Sequence, residues 1–138
     1  KDEAIVKLCD LAAGQEGAAE AESFYKPVLE REHLMGTAME EGIAVPHARL
    51  AALRRPLIVF GRSLTGIEWN SPDGTPAQFV FLILTPEHQD EIQVQILSSI
   101  ARAMSRAQTR KYILEAQDAD RIWTILREAF VSSEIVRK

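Results

Sequence analysis

The chain has 138 residues, 46% of them hydrophobic and 26% charged, which fits one globular domain with its own core. The formal net charge of −4 offers no basic surface to a polyphosphate backbone, which argues against nucleic-acid binding. A single cysteine excludes an internal disulfide, and Cys9 shares a helical stripe with Ile5, so we expect it in the core.

Two helices are predicted at the start of the chain. The first covers 2–13 and stops at Gly14, and the second covers 20–33 with a kink at Pro27. The sequence opens at Lys1-Asp2-Glu3, already inside a helical pattern and without methionine. We therefore expect that a strand or a whole domain preceding residue 1 is missing.

Strands follow from residue 42 onward. Residues 43–45 run into a proline, residues 56–63 are apolar and β-rich, and residues 66–69 continue as an extended piece before a turn at 70–74. Residues 77–84 are almost continuously apolar, which is typical of a central strand covered on both faces.

Helical periodicity then returns and predicts three more helices, over residues 90–106, 109–116 and 118–130. The order of helices, strands and helices predicts an α/β fold, in which helices sandwich a mixed central sheet on both faces. We expect residues 1–138 to form this single domain.

One histidine stands in a restrictive context, the segment Gly42-Ile43-Ala44-Val45-Pro46-His47-Ala48-Arg49. Proline fixes its own φ and favours extended geometry before it, so His47 should leave the strand edge in a restricted direction. A neutral imidazole nitrogen is nucleophilic near pH 7, which suits it to accept a phosphoryl group. Composition alone would favour a capped surface or core histidine.

The run 28–48 resembles the active-site stretch of the fructose/mannitol-type enzyme IIA domains of the bacterial sugar phosphotransferase system. In that family an Arg-Glu pair ends a helix, Gly-Thr follows, and the signature closes on Gly-Ile-Ala-(Ile/Val)-Pro-His. The counterparts here are Arg31-Glu32, Gly36-Thr37 and residues 42–47. Further similarity extends over about residues 2–128, and it implies the IIA mannitol/fructose-like fold.

The resemblance implies that His47 carries a phosphoryl group taken from the phosphocarrier protein HPr or an analogue. It implies that Arg31 is the active-site arginine, whose planar guanidinium can bind two phosphoryl oxygens. Arg49 adds positive charge near the site, and Thr37 could offer a hydroxyl to a phosphoryl oxygen or cap local backbone. No cofactor is expected.

The sequence departs from the family at the second histidine, which phosphate-relaying members usually carry on the helix after the central strand. Gln93 stands at that position, on a stripe with Leu97 and Ile100, and its amide should point toward the site. Glutamine can donate a hydrogen bond but cannot shuttle a proton. His88, five residues earlier, is either a displaced substitute or a surface-loop residue.

Other chemistry-bearing residues have simpler interpretations. The histidines at positions 33, 47 and 88 have no metal-ligand spacing, so no metal site is expected. Trp69 and Trp123 lie in apolar patterns and are expected in the core.

Gln93 favours a regulatory role, as in the nitrogen-related or transporter-attached branch of the family, over dedicated sugar transport. The alternatives are a sugar-specific carrier that passes phosphate to a IIB domain and a docking domain that is not phosphorylated. Expected partners are HPr or an analogue, and a IIB domain or a regulated protein such as a transporter. We expect a cytoplasmic domain without membrane insertion of its own, alone or attached to a larger or membrane protein.

Overall fold

A computed structural model describes residues 1–16, 22–51 and 53–133, which form two compact units divided between Ile92 and Gln93. The elements of these residues, in chain order, are α1 (Asp2–Glu16), α2 (Glu22–Leu34), β1 (Ile43–Ala44), β2 (His47–Leu50), β3 (Leu57–Ile67), β4 (Ala77–Pro86), α3 (Asp90–Met104), α4 (Ala107–Glu115) and α5 (Ala119–Ser133). The expectation of a single domain stays a prediction.

The sheet of the first unit is built around β4. Ile83 pairs with His47 of β2 in parallel and with Ile58 of β3 in antiparallel orientation, so β4 lies between them. β1 is also parallel to β4, and its pairing of Ile43 with Phe79 has the same offset as that of β2. β1 and β2 therefore form one line along β4 that is interrupted at 45–46. The predicted α/β class with a mixed sheet is confirmed.

The core of the first unit lies where α1 and α2 pack on the sheet. Its buried members from the helices and from alternate positions of β4 include Ile5, Leu8, Cys9, Ala12, Phe24, Val28, Val80, Leu82 and Leu84. The intervening β4 residues Phe79, Phe81 and Ile83 are buried too, so both faces of this strand are covered. Cys9 is a core residue as predicted, and burial, together with the charge of Asp10, raises the pKa of its thiol to about 12.

The second unit contains α4 packed on α5. The expectation that Trp123 is buried was wrong, because its side chain is 60% exposed. The buried stripe of α5 runs through Ile125, Leu126 and Ala129, and Trp123 lies off that stripe with the Arg127 guanidinium 5.7 Å from its ring centroid. In the part of the chain that the structure describes, no helix combines the length and apolar character needed to span a bilayer.

Some predicted boundaries need correction. α1 continues through Gly14. A glycine ends a helix when it adopts the left-handed conformation, and Gly14 stays helical instead. β2 was not predicted: the strand resumes after Pro46, so His47 begins a strand where we had expected one to end. Pro27 lies inside α2, and residues 20–21 of that predicted helix fall outside the described residues.

The burial of β4 predicts a strong contrast between two leucines. Replacing the fully buried Leu82 with alanine leaves a cavity and should lower the free energy of unfolding by about 2–5 kcal/mol. Leu64→Ala removes the same atoms from a side chain that is 60% exposed, so it should change stability by less than about 1 kcal/mol. Urea denaturation measures both, and equal losses would contradict the described core.

Candidate functional site

His47 begins β2 directly after the interruption at Val45 and Pro46. The Ile83 backbone N–H donates to the Pro46 carbonyl at 3.0 Å, which ties the interruption to the central strand. His47 pairs with Ile83 in the sheet and is only 8% exposed. Its backbone is therefore fixed by the sheet, and its side chain is largely withdrawn from water.

The imidazole of His47 is oriented by its own backbone segment. Nδ1 lies 2.8 Å from the Val45 carbonyl oxygen. A carbonyl oxygen can only accept a hydrogen bond, so Nδ1 carries the ring proton and donates it. In the neutral ring, Nε2 then keeps its lone pair. This is the tautomer in which Nε2 can act as a nucleophile.

Several charges act on the same ring. Burial lowers the pKa of His47 below its ordinary 6.5, and the positive charges of Arg31 and Arg49 lower it further. The Val45 carbonyl and the negative charge of Glu32 act in the opposite direction without reversing the shift. His47 is therefore mainly neutral at pH 7.

The two arginines come from different elements. Arg31 lies in the last turn of α2, where its Nη1 donates to the Met35 carbonyl at 2.8 Å. Arg49 of β2 forms a 2.7 Å ion pair with Asp90 at the start of α3, in which both side chains are at least half exposed. A neutral nucleophile influenced by two guanidinium groups is an arrangement suited to an anionic electrophile such as a phosphoryl group.

A buried carboxylate next to Arg31 was not identified as a site residue from the sequence. Glu32 is 2% exposed, and its two oxygens accept hydrogen bonds from the Thr37 amide at 2.9 Å, the Thr37 hydroxyl at 2.5 Å and the Trp69 indole at 3.1 Å. Lys1 Nζ lies 3.5 Å away. A buried carboxylate costs several kcal/mol unless such partners satisfy it. The Arg-Glu pair was the available sequence signal, but it did not indicate burial.

The remaining predicted site residues are distributed differently. Thr37 is buried, and its hydroxyl proton goes to Glu32, so it serves the local structure in this arrangement. His88 is exposed in the turn after β4. Gln93 is buried in the first turn of α3, and the direction of its amide stays a prediction. Trp69 is buried as expected and donates to Glu32.

Metal chemistry receives no support from the described residues. Over 1–16, 22–51 and 53–133, no group of three His, Cys, Asp or Glu side chains is placed to hold a metal ion.

Comparison with known proteins agrees with the motif. The family model described as "Phosphoenolpyruvate-dependent sugar phosphotransferase system, EIIA 2" matches residues 1–129. The fructose-specific EIIABC component of Bacillus subtilis is 36% identical over 107 residues, which are 78% of this chain and 17% of that protein. The fructose-specific EIIA component of Haloferax volcanii is 34% identical over 128 residues, 93% of this chain and 83% of that protein.

A solved structure supports the fold. The nitrogen regulatory protein IIA-Ntr from Neisseria meningitidis aligns with a TM-score of 0.83 and 25% identity, covering 91% of this chain and 86% of that one. The resemblance seen in the sequence is thus confirmed by the family model, by two relatives and by the fold. The chain belongs to the EIIA type 2 family of the phosphoenolpyruvate-dependent sugar phosphotransferase system.

Proposed function

We propose that this chain is a phosphohistidine carrier that accepts a phosphoryl group on Nε2 of His47 from HPr or an analogous phosphocarrier. The observation that carries the proposal is the hydrogen bond from Nδ1 to the Val45 carbonyl. It leaves the lone pair on Nε2, in a ring whose low pKa keeps it neutral at pH 7.

The transfer would proceed by in-line displacement. The Nε2 lone pair forms a bond to phosphorus while the phosphorus–nitrogen bond of the donor's phosphohistidine breaks, and the donor nitrogen keeps that electron pair. The Nδ1 proton stays in place, so the phosphorylated ring carries a positive charge directed at the Val45 carbonyl. No cofactor is needed for this step.

Arg31 and Arg49 would stabilise the phosphoryl oxygens. The charge of a transferring phosphoryl group is spread over its three equatorial oxygens, and positioned cations neutralise it. Both arginines already act electrostatically on His47 in the free protein. Arg31 is the catalytic candidate, since the family signature includes it, and Arg49 is a second cation that is partly engaged with Asp90.

A regulatory role is favoured over dedicated sugar transport by Gln93, which cannot take up a proton where a second histidine would. The partner that responds to the phosphorylation state of this domain would then be a regulated protein such as a transporter. The alternative is a sugar-specific carrier that passes phosphate to a IIB domain, and the fructose-specific names of the two relatives favour it. Either role places the domain in the cytoplasm, alone or attached to other domains.

Phosphoryl acceptance is tested with phosphoenolpyruvate, the general phosphotransferase enzymes and HPr, followed by mass spectrometry. We expect an acid-labile gain of one phosphoryl group that His47→Ala abolishes. The control His33→Gln also removes a histidine, an exposed one, and should keep the gain. Arg31→Lys keeps the positive charge but loses the planar guanidinium that can bind two phosphoryl oxygens, so it should slow phosphoryl acceptance by about 100-fold. The absence of any gain in the wild type would refute the carrier function and leave a docking role.

The departure at position 93 has its own test. If the missing histidine limits relay, Gln93→His should speed the discharge of phosphorylated protein to a IIB domain by about 100-fold, the low end for a positioned acid or base. Rapid-quench kinetics measure the rate. An unchanged rate would show that this position is not catalytic here.

The pKa of His47 provides a test that requires no partner. Its ring should titrate below pH 6.5 in NMR spectra, and Arg31→Gln should raise this pKa because it removes a positive charge. The unfolded chain binds the proton at a higher pH than the folded one. The stability contributed by neutral His47 is therefore complete above pH 6.5 and is lost as the pH falls through the folded pKa. A His47 pKa at or above 6.5 would contradict the described environment.

A further inference from the structure

We propose that Glu32 is a positioning residue that selects the reactive tautomer of His47 through Thr37 and Val45, an inference that rests on the proposed function. Glu32 binds neither substrate nor reacting atom in this scheme. It acts through a chain of hydrogen bonds that ends on the imidazole. The contacts of each link in that chain support the proposal.

The first link joins Glu32 to Thr37. One carboxylate oxygen accepts the Thr37 amide at 2.9 Å, and the other accepts its hydroxyl at 2.5 Å. Two hydrogen bonds to one residue fix both its position and its orientation. Both partners are buried, so water does not compete for them. The connection from α2 toward β1 is therefore held at Thr37.

The second link joins Thr37 to the imidazole. The Thr37 carbonyl accepts the Val45 N–H at 3.1 Å, and the Val45 carbonyl accepts the proton of His47 Nδ1 at 2.8 Å. Pro46 limits Val45 to extended geometry, so little freedom remains between its N–H and its carbonyl. Holding Thr37 therefore holds the acceptor that decides which ring nitrogen keeps the proton.

These hydrogen bonds support the chain at Val45, where its pairing with β4 is interrupted. Val45 lies in the interruption between β1 and β2, and the register with β4 resumes at His47. A shift of the Val45 carbonyl would let the proton move to Nε2, which removes the lone pair needed to attack phosphorus. Glu32 thus acts through the length of its side chain, which lets it hold Thr37, and not through its negative charge.

Two substitutions separate the effect of the length of the Glu32 side chain from the effect of its charge. Glu32→Gln keeps the length of the side chain, so its carbonyl oxygen can accept from Thr37 and Trp69, and its amide can donate to the Thr37 hydroxyl. Glu32→Asp keeps the charge but is one methylene shorter, so it cannot hold both groups of Thr37 as before. Trp69→Phe is the control, because it removes a hydrogen bond to the same carboxylate without touching Thr37.

The primary readout is the tautomer of His47 in the unphosphorylated protein, measured by ¹H–¹⁵N correlation spectra of the imidazole nitrogens above its pKa. We expect the Nδ1–H form in the wild type, in Glu32→Gln and in Trp69→Phe, and a mixture of both forms in Glu32→Asp. Phosphoryl acceptance should fall roughly 10- to 100-fold in Glu32→Asp, by analogy with the loss of the hydrogen-bond partner of a metal-ligating histidine. In Glu32→Gln the lost negative charge should lower the His47 pKa while the Nδ1–H form is kept.

Two results would overturn the inference. One is a Glu32→Asp protein with the wild-type tautomer, whatever its rate or stability. The other is a loss of the Nδ1–H form in Glu32→Gln equal to that in Glu32→Asp, which would make charge the determinant. Because the tautomer is measured without a phosphoryl donor, a wild type that accepts no phosphate would refute the proposed function while this test still stands or falls separately.

Discussion

The hydrogen bond from His47 Nδ1 to the Val45 carbonyl is the interaction on which the proposed chemistry of this domain depends. It spans only two residues, yet it fixes the ring orientation and the position of the proton together. Burial and the nearby guanidinium groups then keep the ring neutral. A nucleophile that is both neutral and correctly protonated is available without any general base, which suits the proposed role of receiving and releasing a phosphoryl group.

The fold provides this geometry through an interruption in the sheet. β1 and β2 run along the same edge of β4 in one register, and the gap between them contains a proline without an N–H. Pro46 cannot donate a ladder hydrogen bond, although its carbonyl still accepts the Ile83 N–H at 3.0 Å. The Val45 N–H is directed to the Thr37 carbonyl on the side away from β4, and the Val45 carbonyl accepts from the side chain of His47. The rigid central strand, buried on both faces, supports the segment on either side of it.

Much of this could be predicted from the sequence because the relevant signals are local. Proline before histidine, a continuous apolar run for β4 and the turn after Trp69 each depend on neighbouring residues. The burial of Glu32 depends on partners 5 and 37 residues away, and no local pattern marks it. β2 was missed because a proline usually ends a strand, and Trp123 was misplaced because a single helical stripe cannot be centred accurately from periodicity alone.

The central claim is that Nε2 of His47 receives the phosphoryl group while Nδ1 keeps its proton. The most direct measurement is a ¹H–¹⁵N and ³¹P NMR study of the phosphorylated domain, in which the coupling of phosphorus to one ring nitrogen identifies the phosphorylated atom. We expect coupling to Nε2 of His47, with Nδ1 still protonated below the pKa of the phosphorylated ring. Coupling to Nδ1, or to a nitrogen of another histidine, would contradict the account.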